Sequence, residues 1–182
     1  NFKMIDFSFN LEKKIDFSSN LLTVTNRIFL IYLSLTALIF LFFIISGIRI
    51  FDSLNLTMTI VSSGGFIPTE SLNDIIRTNF QSLMLCVGFL VSMLNFYLLY
   101  NIFLERDNLK NHGEDIYLII LVIVFGIIFY LINDLNLSSV FINILSSVGT
   151  SGISTSSVPE NFGLYFIILT LFGGSVLSTS SG

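Results

Sequence analysis

The chain has 182 residues, of which 53% are hydrophobic and only 11% charged, with a net charge of −4. A soluble domain carries roughly a quarter charged residues, so these charges are too few to cover a globule and a soluble enzyme or a disordered tail is excluded. The single cysteine, Cys86, lies in an apolar run and offers neither a disulfide framework nor a thiolate metal cage, and the acidic balance leaves nothing to hold a nucleic acid. The composition is that of an integral membrane protein.

Residues 1–26 are mixed and polar, and are expected to form a cytoplasmic segment. A first unit is expected over 27–104. It opens with Ile28–Ile48, an uncharged run long enough to cross a hydrocarbon core of roughly 30 Å. The stretch 53–69 is also uncharged, yet it is rich in Ser, Thr and Asn and broken by Gly64, Gly65 and Pro68. Such a segment cannot face lipid along its length; irregular backbone at membrane depth survives only inside protein or beside water. A short helix over about 52–61 and a glycine-rich return predict a re-entrant loop. Thr78–Leu104 reads as a second span, with Gln81 and Asn95 inside it as interhelical hydrogen-bonding residues and Cys86 as packing.

Residues 105–115 form a short charged loop, in which His112, the one histidine, reads as solvated. A second unit over 116–182 begins with the span Ile116–Ile132. Residues 135–159 repeat the earlier oddity, uncharged and Ser/Thr-rich around Gly149 and Gly152. Phe162–Phe172 starts a further span, but Gly173 and Gly174 interrupt it at about half the length a crossing needs. The predicted fold is therefore an all-α membrane bundle of span, re-entrant pore loop and span, repeated, with a broken last helix. The chain opens on Asn1 and closes on Ser181-Gly182 without a polar tail, and its first apolar run does not read as a signal peptide. It is expected to be an internal part of a longer protein.

The two units are in register. Ser63-Gly64-Gly65-Phe66 and Thr150-Ser151-Gly152-Ile153 lie 87 positions apart, and the same shift places Val61 over Val148. Six of the eight basic residues fall in 1–27 and 105–115, which the positive-inside rule assigns to the cytoplasm. Both loops then enter from outside, in a multi-pass protein of the cytoplasmic membrane.

A re-entrant helix aims its carbonyl end, the negative pole of its dipole, at whatever lies at mid-membrane, and so favours a cation. Glycine lets consecutive carbonyls of the following segment point one way, as where backbone oxygens replace a hydration shell. No Asp or Glu lies within 53–69 or 135–159, which disfavours a divalent ion. The candidate ligands are the carbonyls of Ser63, Gly64, Gly65, Thr150, Ser151 and Gly152. Close helix packing by small residues is the plain alternative, but it accounts for neither the repeat nor the polar returns.

On these residues the chain resembles the Trk/Ktr/HKT superfamily of potassium transporters. Thr59-Ile60-Val61-Ser62-Ser63-Gly64-Gly65-Phe66 is similar to the family's second-repeat filter, and Ser146-Ser147-Val148-Gly149-Thr150-Ser151-Gly152-Ile153 to the third. Residues 171–182 resemble its intramembrane gating loop, with Gly173, Gly174, Ser175, Ser178, Thr179, Ser180, Ser181 and Gly182 as the irregular part. The family's loop is richer in glycine, and Ile153 stands where an aromatic is commoner. The resemblance implies uptake of K⁺ as the transported ion, with no other cofactor and no enzymatic activity. It also implies a homodimer, docking of a cytosolic nucleotide-binding regulatory subunit, and first and fourth repeats outside this chain.

Two rivals remain. A secondary carrier with broken helices, coupled to Na⁺ or H⁺, would usually show inverted repeats, whereas this one is parallel. Gly149-Thr150-Ser151-Gly152 also matches the nucleophile motif of rhomboid-type intramembrane proteases, but such a serine needs a general base within reach. His112 is expected on the opposite side of the membrane.

Overall fold

The computed structural model describes residues 17–95, 113–133, 136–155, 162–175 and 178–180. Among them every regular element is helical. The chain divides into two units, Asn1–Ser34 and Leu35–Gly182, with the boundary inside the first helix, α1 (Phe17–Ile45). In the first unit, Ile28, Phe29, Leu30 and Leu33 are exposed, and the Ser34 hydroxyl donates back to the Ile31 carbonyl at 2.8 Å.

The second unit contains the remaining helices: α2 (Ile50–Ser62), α3 (Asn79–Met93), α4 (Gly113–Ile132), α5 (Leu137–Val148) and α6 (Gly163–Phe172). Among the described residues, Ile28–Ile45 and Gly113–Ile132 are long and apolar enough to cross a membrane. Helices α2 and α5, of 13 and 12 residues, are each about 20 Å long and too short for a crossing.

The centre of this unit is α5, which packs against α3, α4 and α6. Eight of its twelve residues are buried, as expected of a helix enclosed on all sides. Small residues set the close approaches. Gly126 of α4 faces the Phe141 ring, and Gly88 of α3 faces Phe43, Ile39 and Ile60. On α4, Val122, Gly126 and Phe129 are buried on one face while Ile116, Ile120, Ile127 and Leu131 are exposed on the other. Phe129 stacks on Tyr165 and meets Phe162 and Phe166 edge-on, and the Tyr165 hydroxyl donates to the Phe125 carbonyl at 2.6 Å.

Several boundaries differ from those expected from sequence. The first span stops at Ile45 rather than Ile48, because Gly47 turns the chain at φ +82°. The second does not continue as one helix to Leu104. It ends at Met93, and Leu94 is extended, with ψ 151°. Asn95 therefore lies past the helix end, where its N–H donates to the buried Asp115 carboxylate at 3.0 Å. Glu114 and Asp115 belong to the first turn of α4 and not to a loop, while residues 105–112, with His112, lie outside the described residues. Gln81 is the N-terminal clamp of α3: its Oε1 accepts from the Arg77 and Thr78 N–H groups, and its Nε2 reaches the Ser46 carbonyl.

Candidate functional site: two helix ends and a broken helix

Helices α2 and α5 end in the same way. Gly64 N–H returns to the Thr59 carbonyl and Ser63 N–H to Ile60; 87 residues on, Ser151 N–H returns to Ser146 and Thr150 N–H to Ser147. This pair of bonds closes a helix when the residue after its end is left-handed, usually glycine. Gly47 fills that place after α1, where Ile48 N–H bonds Phe43 and Gly47 N–H bonds Ile44. In the two loops the place is taken by Ser63, at φ +53°, and Thr150, at φ +52°. A left-handed L-residue costs about 1–2 kcal/mol, and a β-branched one is a genuine outlier.

The hydroxyls at these strained positions are engaged. Ser63 Oγ donates to the Gly149 carbonyl of the other loop at 3.1 Å and lies 3.5 Å from the Thr179 carbonyl, while Thr150 Oγ1 reaches the Ser180 carbonyl at 3.4 Å. Two residues on, the backbone is left-handed again, at Gly65 (φ +72°) and Gly152 (φ +70°), whereas Gly64 and Ser151 between them are not. Each loop thus runs positive, negative, positive in φ, at the six positions expected from sequence to supply ligands.

Each helix also grips its own return through a hydroxyl at matching positions. Thr59 Oγ1 donates to the Phe66 carbonyl. Its counterpart Ser146 pairs with the Ser151 hydroxyl at 3.0 Å, and Ser151 Oγ lies 3.3 Å from the Ser146 carbonyl. In the second loop, the Asn143 side chain additionally holds Thr155. In the sequence, Thr59 and Ser146 read as the first residues of the two filter-like stretches and not as attachments, and Asn143 is not singled out; the equal 87-residue spacing of Thr59 and Ser146 was the available signal. Among the described residues, the Ser151 hydroxyl is hydrogen-bonded to Ser146.

Helix α6 ends at Phe172, and Gly173, at φ +65° and ψ −172°, takes a conformation essentially restricted to glycine. The segment that follows is fastened to the end of α3. Ser175 donates to the Met93 carbonyl through both its N–H (3.0 Å) and its hydroxyl (3.1 Å). Thr179 Oγ1 donates to the Ser92 carbonyl at 2.7 Å, with Ser180 Oγ 3.4 Å from the same oxygen. The last carbonyls of a helix need partners, and these side chains supply them where α3 breaks. Gly174 is enclosed, since an added β-carbon would lie 2.7 Å from Ser178 Oγ. Among the described residues, the buried Ser178 hydroxyl has no hydrogen-bond partner. Ser181 and Gly182 lie outside the described residues.

Among the described residues no three His, Cys, Asp or Glu side chains gather as a metal cluster, so the oxygens presented at these loops are carbonyls and hydroxyls. No family model matches the sequence, and no curated protein does either. The fold is similar to that of the potassium transporter TrkH from Vibrio parahaemolyticus, with a TM-score of 0.73 at 21% identity. The match covers 87% of this chain and 37% of that one. The chain therefore shares the fold of a TrkH potassium transporter over somewhat more than a third of that transporter's length.

Proposed function

We propose that this chain contributes two of the pore loops of a K⁺ uptake pathway in the cytoplasmic membrane, with the carbonyls of Ser63, Gly64, Gly65, Thr150, Ser151 and Gly152 as ligands. The observation that carries this is the repeated φ pattern, positive, negative, positive, at 63–65 and 150–152. Alternation between positive and negative φ can turn successive carbonyls to one side, the arrangement that can replace a monovalent ion's hydration shell. Both loops follow helices too short to cross a bilayer, which suits an ion site at its middle. The fold shared with TrkH, a potassium transporter by name, supports the same reading.

In this proposal, Ile28–Ile45 and Gly113–Ile132 span the membrane, and their exposed apolar side chains face lipid. Residues 173–182 form a gate beneath the loops, with Gly173, Gly174, Ser175, Ser178, Thr179, Ser180, Ser181 and Gly182 as its irregular part. The hydrogen bonds from Ser175, Thr179 and Ser180 to the end of α3 represent its closed position. A homodimer and a cytosolic nucleotide-binding regulator, docking near 105–115, complete the assembly that the family resemblance implies.

A carrier driven by Na⁺ or H⁺ is the second reading. It is favoured by one specific observation, the facing breaks of α3 at Met93 and of α6 at Phe172, since carriers build sites from half-helix ends. Expression of the full-length protein that contains this chain, here and in the tests below, in a host lacking its own K⁺ uptake tests both. Rb⁺ uptake that persists without a Na⁺ or H⁺ gradient supports the pore, whereas uptake that vanishes with the gradient supports the carrier. No Rb⁺ uptake above the empty host would overturn the transport proposal.

A further inference from the structure

The two loops match in backbone but not in how their returning strands are held. Asn143, 2% exposed in the middle of α5, meets one residue with both ends of its side-chain amide. Its Oδ1 accepts from the Thr155 N–H at 2.9 Å, and its Nδ2 donates to Thr155 Oγ1 at 3.0 Å. The Thr155 hydroxyl also lies 3.2 Å from Oδ1, and Thr155 itself is buried. Eighty-seven positions earlier stand Leu56, fully buried and apolar, and Pro68, which has no N–H to give. An apolar side chain thus serves the same helix position in the sister unit, so packing alone does not call for a buried amide at Asn143.

What differs is the support of the filter-like residues. Gly65 rests against the Ser151 carbonyl, whereas no atom of the described residues lies within 4 Å of where a side chain on Gly152 would begin. Residues 152–154 are bracketed by two attachments: the Ser151 hydroxyl on Ser146, and the Thr155 clasp on Asn143. With three residues between fixed points, the strand cannot slide without breaking a buried hydrogen bond, which is costly in a dry interior.

We infer that Asn143 is a positioning residue for ion selection: by holding Thr155 at two points it sets where the carbonyls around Gly152 stand. The inference rests on the pore proposal above. Asn143 touches no ion in this scheme and acts through Thr155 alone.

The test compares Rb⁺ and Na⁺ uptake in the same K⁺-uptake-deficient host, with membrane levels of each variant measured in parallel. Asn143→Leu, which copies the sister position and removes both bonds, should lower the Rb⁺/Na⁺ ratio at least about fivefold, the scale of a single lost buried hydrogen bond. Thr155→Val, which keeps the N–H bond to Oδ1, should lower it less, and Thr155→Ser should retain it. A wild-type ratio in Asn143→Leu at normal membrane level would overturn the inference. Should that variant fail to accumulate, Thr155→Val decides, and an unchanged ratio there is equally fatal. Wild-type protein that takes up no Rb⁺ at all would instead overturn the transport proposal, so the two failures are distinguishable.

Discussion

Gly65 lies so close to Ser151 that a β-carbon on it would stand 2.5 Å from the Ser151 carbonyl oxygen. The two loops therefore meet backbone to backbone, and the contact tolerates no side chain. Gly152 shares the positive φ, but among the described residues no atom lies within 4 Å of where its β-carbon would stand. Gly152→Ala should cost only backbone strain, about 1 kcal/mol, while Gly65→Ala must also push the loops apart. Both should weaken Rb⁺ over Na⁺ selectivity, and Gly65→Ala should do so more strongly. Wild-type Rb⁺/Na⁺ uptake ratios in both variants would remove the filter assignment.

Deleting Gly174–Thr179 removes the enclosed turn and the Ser175 and Thr179 attachments to α3. The expected result is a higher Rb⁺ flux with the Rb⁺/Na⁺ ratio unchanged, since residues 63–65 and 150–152 are unaltered and lose only the 3.5 Å approach of Ser63 Oγ to the Thr179 carbonyl. If a deletion variant present at normal membrane level carries only wild-type flux, the segment is a fixed kink.

A single hydroxyl tests the fastening more gently. Thr179→Val takes away the 2.7 Å bond to the Ser92 carbonyl at nearly constant volume. One such bond contributes about 1 kcal/mol, so the balance between closed and open positions should shift about fivefold toward open. Thr179→Ser keeps the donor and should behave as wild type. Equal Rb⁺ flux in the Val and Ser variants would show that this bond does not hold the segment.

Stability should depend on the ring cluster joining α4 to α6. Phe129 is fully buried among Phe162, Tyr165 and Phe166. Phe129→Ala should cost about 3–5 kcal/mol through lost burial and a residual cavity, visible as a lower melting temperature in detergent. Tyr165→Phe, losing only the bond to the Phe125 carbonyl, should cost about 1 kcal/mol. A larger loss in Tyr165→Phe than in Phe129→Ala would reverse this ranking of packing over hydrogen bonding.

Much of this architecture was legible from charge and punctuation. The uncharged runs from Ile28 and Ile116 fall largely within the two long helices, but α1 opens at Phe17, eleven residues before Ile28 and inside the segment expected to be cytoplasmic, while α4 opens at Gly113. The Ser/Thr-rich stretches contain most of the short helix α2 and all of α5. The break in α3 was not legible. Between Thr78 and Leu104 the sequence carries neither Pro nor a glycine near Met93, and the partners of the freed Ser92 and Met93 carbonyls come from residues some eighty positions away. Local propensity has no access to such a cause. Left-handed Thr150 was hidden for the opposite reason: β-branched residues disfavour that conformation, so only its alignment with Ser63 could have suggested it. The Asn143 clasp carried a fainter signal, a polar residue opposite Leu56 in the sister unit.

The matched endings of α2 and α5 make the two halves alike in chain path and unlike in neighbourhood. Ser63 reaches across to the sister loop and also lies near the Thr179 carbonyl, whereas Thr150 reaches toward the segment after α6. The template is common; the sets of addressees differ. A substitution copied into both positions is therefore two different experiments: at 63 it touches the joint between the halves as well as the broken helix, and at 150 it touches the broken helix. Tolerance at 63 should follow what happens at 149, and tolerance at 150 what happens at 180, so the twin sites are free to diverge while their backbones stay superimposable.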